Sequence, residues 1–96
     1  MAINISLVNF TEQGIKNVND SPKRAKAFRD LAKKNGVTVR DIYWCIGRYD
    51  MIVITEGSDE AMTASLLAIA KRGNVRTETL RAMDAEAFER VLQKVD

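Results

Sequence analysis

Apolar positions along the chain follow two spacings, one typical of strands and one typical of helices. Residues 3–10 carry apolar side chains on both alternation sets, which predicts a strand covered on both faces. The apolar runs 42–46 and 51–54 flank the turn at Gly47 and predict a β-hairpin with strands over 37–46 and 51–56, because glycine tolerates the positive φ of a tight turn. A fourth strand is predicted over residues 75–83.

Helical spacing and capping residues lie between these strands and after the last one. A short turn is predicted after Thr11, and a longer helix is predicted to begin at Asp20 and to end at Gly36. Ser58 and Asp84 are predicted caps of two further helices. The last helix carries apolar residues at i, i+3, i+4 and i+7, namely Phe88, Val91, Leu92 and Val95.

The order of these elements is β-α-β-β-α-β with one helix added at the C-terminal end. That order predicts a ferredoxin-like α+β fold, because right-handed crossovers place both main helices on one face of a four-stranded antiparallel sheet. We interpret residues 1–96 as a single domain, since the length suits one core and no linker or repeat is evident.

The sheet face away from the helices should be polar in a monomer, yet both alternation sets of the strands are substantially apolar. Because an exposed apolar face of this size is typical of an interface, we predict a homodimer or higher homo-oligomer formed through it. The alternative is that the last helix packs across this face and leaves a monomer.

Three segments resemble a known family. They are Gly47-Arg48-Tyr49-Asp50 in the hairpin turn, Thr-Glu-Gln-Gly-Ile-Lys at 11–16 and Val-Arg-Thr-Glu-Thr-Leu-Arg at 75–81. With these segments the chain resembles the GYD domain family. The resemblance implies a ferredoxin-like fold of the dimeric α/β-barrel kind and a sheet-to-sheet dimer. It implies no established activity, and it attaches no catalytic role to Gly47, Tyr49 or Asp50.

Composition narrows the available chemistry, because the chain contains no histidine and a single cysteine, Cys45. Histidine is the commonest general base near neutral pH, a common metal ligand and the usual proximal haem ligand. A lone cysteine excludes Cys-x-x-Cys metal and redox sites. We therefore predict no metal and no cofactor, and we interpret Cys45 as a small buried hydrophobe rather than a nucleophile.

Hydroxyl groups among apolar neighbours are the typical lining of a small-molecule pocket. If hydroxyl-bearing residues share a face with Phe10, they would enclose a cavity of mixed apolar and hydroxyl character beside the sheet. Threonine is also simply a good strand former, so Thr77 and Thr79 have a purely structural interpretation as well. Tyr49 and Asp50 are open to two interpretations, a proton-transfer pair or a structural turn in which Asp50 bonds turn amides. A one-residue slip in strand register would exchange cavity and core residues. The candidate ligand-binding residues are Ser6, Phe10, Tyr43, Tyr49, Asp50, Thr77 and Thr79.

Two functions compete on this evidence. One is a small-molecule binding protein or enzyme that holds an apolar or aromatic molecule beside the sheet, and the alternative is a non-enzymatic assembly module without a ligand. RNA binding is disfavoured, because the net charge is only +2 at pH 7 and the aromatic strand pattern of RNA recognition modules is absent. The sequence shows neither a membrane span nor a secretory signal, so we expect a cytoplasmic protein without membrane partners.

Overall fold

The computed structural model describes residues 2–95. Four strands form one antiparallel sheet in the order β2-β3-β1-β4, with a further helix at the C-terminal end, as predicted for a ferredoxin-like α+β fold. The elements in chain order are β1 (Ala2–Phe10), α1 (Glu12–Lys16), a 3₁₀ turn (Val18–Asp20), α2 (Ser21–Lys34), β2 (Thr38–Trp44), β3 (Met51–Gly57), α3 (Asp59–Ala70), β4 (Val75–Ala82) and α4 (Ala85–Leu92).

Helices α2 and α3 pack on one face of the sheet, which we call the covered face; the opposite one is the free face. Side chains of β3 alternate between the two, because Met51, Val53 and Thr55 are buried and the residues between them are partly exposed. The period of two follows from strand geometry. The buried apolar core lies between the covered face and the helices and comprises Val8, Phe28, Ala32, Val37, Met51, Val53 and Met62.

A bulge in β2 sets which of its side chains reach each face. The pairing with β3 shifts between Val39 and Asp41, so that Arg40 is the extra residue of the bulged strand. Beyond the bulge, Ile42 lies opposite buried Val53 on the covered face, and Tyr43 falls on the free face.

Helix caps agree with the sequence at three starts and differ at one. The side chains of Thr11, Ser58 and Asp84 each accept a hydrogen bond from the amide three residues on, as predicted. Asp20 makes no such bond, so the predicted cap there is wrong. Its backbone is already helical, because the 3₁₀ turn runs directly into α2, whereas a side-chain cap requires an extended residue.

Helix α4 is mostly exposed to solvent. Every residue in it except Ala87 is exposed, and its large apolar residues Phe88, Val91 and Leu92 remain 43% to 52% exposed. The alternative in which this helix covers the free face is therefore not the arrangement adopted. Across residues 2–95, no helix combines the length and the apolar character needed to cross a membrane.

Candidate functional site

A cavity of about 80 Å³ lies between the covered face and helices α2 and α3. Val8 and Val53 line it from the sheet, and Phe28, Leu66 and Ile69 line it from the helices. This is about half the volume of a roughly 150 Å³ cavity that holds benzene, so the space accommodates a short alkyl chain or part of an aromatic ring. Its walls are mainly apolar, which suits the body of a small organic molecule.

Hydroxyl groups of Ser6, Ser21 and Thr77 contribute the polar part of the lining. Ser6 Oγ lies 2.9 Å from Thr79 Oγ1 in a shared hydrogen bond. Ser21 Oγ accepts a hydrogen bond from Trp44 Nε1 at 2.9 Å. The hydroxyls of Ser6 and Ser21 thus have partners within the chain, which holds both side chains in place at the cavity wall.

The 11–16 segment clamps the loop between α3 and β4, which forms part of the cavity wall. Thr11 Oγ1 donates to the carbonyl oxygen of Gly73 at 2.6 Å, and the Thr11 amide donates to that of Asn74 at 3.0 Å. Gly14 packs so closely here that a Cβ atom on it would lie 1.9 Å from the Asn74 oxygen. Glycine at position 14 is therefore a requirement of close backbone approach.

The Gly47-Arg48-Tyr49-Asp50 turn lies between β2 and β3 and is hydrogen-bonded to the end of β1. Gly47 has a φ of 149°, which side-chain-bearing residues rarely adopt. Asp50 Oδ2 accepts a hydrogen bond from the Phe10 amide at 2.8 Å, and the Asp50 amide donates to the Val8 carbonyl at 2.8 Å. Tyr49 donates instead to Glu78 Oε1 at 3.0 Å. The Tyr49 hydroxyl and the Asp50 carboxylate therefore have separate partners, and Asp50 joins the hairpin to the end of β1.

The candidate residues fall in three places rather than one. Ser6, Phe10, Thr77 and Thr79 share the covered face, and of these Ser6 and Thr77 line the cavity. Tyr43 lies on the free face and is 57% exposed. Tyr49 and Asp50 belong to the hairpin loop described above.

Four polar residues of the cavity were not among the sequence candidates: Ser21 and Arg24 from α2, and Arg72 and Asn74 from the α3–β4 loop. The basic stretch that contains Arg24 was visible in the sequence, but it is equally typical of a solvated helix face. The position of the loop depends on the clamp from residues 11–16, which lies about sixty residues away in the chain.

An ion pair outside the cavity, between Arg81 and Asp59, raises the pKa of Arg81. Arg81 on β4 donates a hydrogen bond to Asp59 at the start of α3, and this bond together with the Asp59 charge raises the pKa of the Arg81 guanidinium. The guanidinium is fully charged near neutral pH with or without this shift, so the pair introduces no pH dependence there. Within residues 2–95 no group of three or more His, Cys, Asp or Glu residues is placed to hold a metal ion.

The strand order and the two helices on one face define a ferredoxin-like α+β domain. The GYD domain family matches residues 5–92, so the chain belongs to that family.

Among solved structures, the fold is similar to that of a candidate glycine cleavage system transcriptional repressor, with 16% sequence identity and a TM-score of 0.51. The match covers 86% of this chain and 46% of the other, so this chain spans about half the length of that protein. At this identity the similarity concerns the fold alone. No curated protein sequence matches the chain.

Proposed function

We propose that the chain is a homo-oligomeric binding protein that holds a small apolar or aromatic molecule between its sheet and its two main helices. The observation that carries this proposal is the apolar cavity of about 80 Å³ beneath α2 and α3. Protein interiors contain few voids larger than a water molecule, and an empty apolar cavity lowers stability. A ligand that fills the space offsets this loss.

The free face supports the homo-oligomeric part of the proposal. Ile5 lies at its centre, opposite Ile54 on one neighbouring strand and Leu80 on the other. Leu7 and Ile52 extend the apolar surface along the same two strands. Pairing two such faces would bury roughly 800 Å² per subunit, an ordinary area for a stable complex. Helix α4 follows β4 in the chain. Its apolar stripe is exposed and adds surface that a second copy can cover.

We propose that this protein binds a ligand, and we assign no catalysed reaction to it. Tyr49 and Asp50, the candidate proton-transfer pair, are each engaged in a hydrogen bond to another part of the chain. No cofactor, nucleic acid or membrane enters the proposal. A reducing compartment such as the cytoplasm suits Cys45, which is a free thiol.

A non-enzymatic assembly module without a ligand is the second candidate. It is favoured by the structural use of the family's own motifs, because Gly14 and Asp50 join loops to the sheet and do not line the cavity. In this alternative the fold serves only to present the free face to another copy, and the cavity stays empty or holds water.

Two variants of α2, in each of which one alanine is replaced by leucine, separate these two candidate functions. Ala25 lines the cavity, whereas Ala27 is exposed on the same helix. Toluene, followed by amide chemical shifts in two-dimensional NMR, should bind the unaltered protein and Ala27→Leu, but not Ala25→Leu, whose added side chain fills the space. If toluene shifts no cavity amide in the unaltered protein, or if Ala25→Leu binds it equally well, the cavity is not a ligand site.

A further inference from the structure

We propose that the molecule bound in this cavity is a small organic acid, whose apolar body fills the cavity and whose carboxylate is held by Arg24 and Arg72. This inference rests on the proposed function, since it specifies the ligand class of the same cavity. It goes beyond that proposal by assigning a charge to the ligand and a recognition role to these arginines.

The charges around the cavity are unbalanced. Arg24 and Arg72 both line it, and the lining contains no aspartate or glutamate. Among residues 2–95, the ion pairs involve other arginines and lysines, and neither of these guanidinium groups lies within 4.0 Å of a carboxylate. A cleft with apolar, low-dielectric walls and one sign of charge concentrates ligands of the opposite sign.

Arg24 is held in position by the backbone next to it. Its Nη1 donates to the Asn17 carbonyl at 2.9 Å, and its Nη2 donates to the Gly14 carbonyl at 3.3 Å. A guanidinium has five N–H donors, so further donors remain after these two bonds. Because the group is already oriented by neutral carbonyls, little side-chain freedom is lost when an anion binds to it.

A single side chain of the clamp, Gln13, bonds to the backbone of Arg72 and to the side chain of Asn74. Gln13 Nε2 donates to the Arg72 carbonyl at 3.0 Å and to Asn74 Oδ1 at 2.9 Å. The second bond occupies the oxygen of the Asn74 amide, so its NH₂ group is the part left to donate. Arg72 itself is exposed and Arg24 is half-buried, which places the cationic groups on the solvent side of the cavity.

The size of the cavity narrows the ligand further. A space of about 80 Å³ takes a short alkyl chain or one edge of an aromatic ring, and the rest of the ligand lies toward the solvent side. A carboxylate attached to such a body would remain on the solvent side, where planar guanidinium groups bind carboxylates by paired hydrogen bonds. Benzoate is the simplest molecule with both parts, and benzyl alcohol has the same ring without the charge.

The test compares these two probes on the unaltered protein and on two charge variants, with affinity measured from NMR titrations. Arg72→Gln removes a cavity charge. Lys71→Gln removes the same charge from the neighbouring exposed position, which does not line the cavity. We expect benzoate to bind the unaltered protein roughly tenfold more tightly than benzyl alcohol. Arg72→Gln should reduce that preference, because only Arg24 then remains; Lys71→Gln should retain it, and added salt should weaken benzoate binding alone.

The outcomes separate this inference from the proposed function. If toluene and benzyl alcohol bind at the cavity but benzoate binds no more tightly, or if Arg72→Gln and Lys71→Gln behave alike, the acidic ligand class is wrong while the binding function stands. If none of the three probes shifts cavity amides, the proposed function fails and this inference fails with it. Benzoate binding that persists in Ala25→Leu would place the anion elsewhere and would also overturn the inference.

Discussion

The two faces of the sheet do not divide into an apolar face and a polar face, as they would in a typical monomeric domain. The covered face, packed against two helices, buries the polar side chains of Asn4, Ser6 and Thr55. The free face, which no element of the described chain covers, presents Ile5, Leu7 and other large aliphatic side chains. An antiparallel sheet with one solvated face normally places polar residues there. This difference supports the proposal that a second copy of the chain covers the free face.

Polar groups on the covered face are accommodated by local hydrogen bonds. Ser6 pairs with Thr79 across two strands, and Thr55 Oγ1 donates to Met62 Sδ at 3.0 Å. Asn4 Nδ2 is buried without a partner among the described residues. A covered face with hydroxyls beside a cavity is compatible with ligand binding, whereas the free face offers mainly apolar area.

The largest effect is expected from a charge at the centre of the free face. Ile5→Lys should shift the protein to monomers, because burying an unpaired ammonium in the interface costs about 4 kcal/mol. Leu67→Lys is the matched control, since Leu67 is an equally apolar residue that is 63% exposed on α3. Light scattering coupled to size exclusion measures both variants. An Ile5→Lys protein that keeps the oligomeric state of the unaltered chain would show that the free face is not the interface.

A somewhat smaller effect is expected on the covered side, at the clamp. Gly14→Ala should lower the free energy of unfolding by about 3 kcal/mol, because the new methyl group forces the Asn74 backbone away. Ile15→Ala, at the next and half-exposed position, should stay within about 1 kcal/mol. Urea denaturation measures both. Equal stability of the two variants would mean that the loop moves freely and that the clamp does not fix the cavity wall.

Removal of the Asp50 carboxylate tests the structural interpretation of the hairpin turn. Asp50→Ala leaves the Phe10 amide without its acceptor and should cost about 2 kcal/mol. Asp50→Asn keeps an acceptor oxygen and should cost less than Asp50→Ala. Chemical denaturation of both variants gives the two values. An unchanged free energy of unfolding for Asp50→Ala would remove the argument that this residue serves the fold.

The smallest effects distinguish two candidate hydroxyls on opposite faces. Ser6→Ala removes a buried hydrogen bond to Thr79 and should lower the free energy of unfolding by about 1 kcal/mol. Tyr43→Phe removes an exposed hydroxyl, whose 3.4 Å contact with Asp41 is long, and should have almost no effect on it. Thermal denaturation of the two variants measures the difference. A larger loss from Tyr43→Phe would contradict the face assignment of β2.

Much of the fold was predictable from local signals. Alternation along β3, the glycine at 47 and the caps at Thr11, Ser58 and Asp84 each depend on neighbouring residues alone, and the structure confirms them. The side-chain cap predicted at Asp20 was wrong, because the 3₁₀ turn before α2 has no clear sequence signal. The C-terminal helix was predicted, but its high exposure was only one of two open alternatives.

Less of the candidate site than of the fold could be predicted from the sequence. Ser6 and Thr77 were found through hydroxyls in apolar strands, and their place on the cavity wall depends on strand register. Arg24 and Arg72 line the same cavity, and each is hydrogen-bonded to the segment 11–16, which is distant in sequence from the loop that carries Arg72. Such long-range contacts leave no periodic pattern in the chain.

The association state of the unaltered protein is the most direct test of the proposal that the free face is an interface. Sedimentation equilibrium over a range of micromolar concentrations reports the number of subunits without any substitution. The account predicts a dimer or a larger closed assembly that persists throughout this range. A single species with the mass of one chain, 10.8 kDa, at every concentration would contradict it.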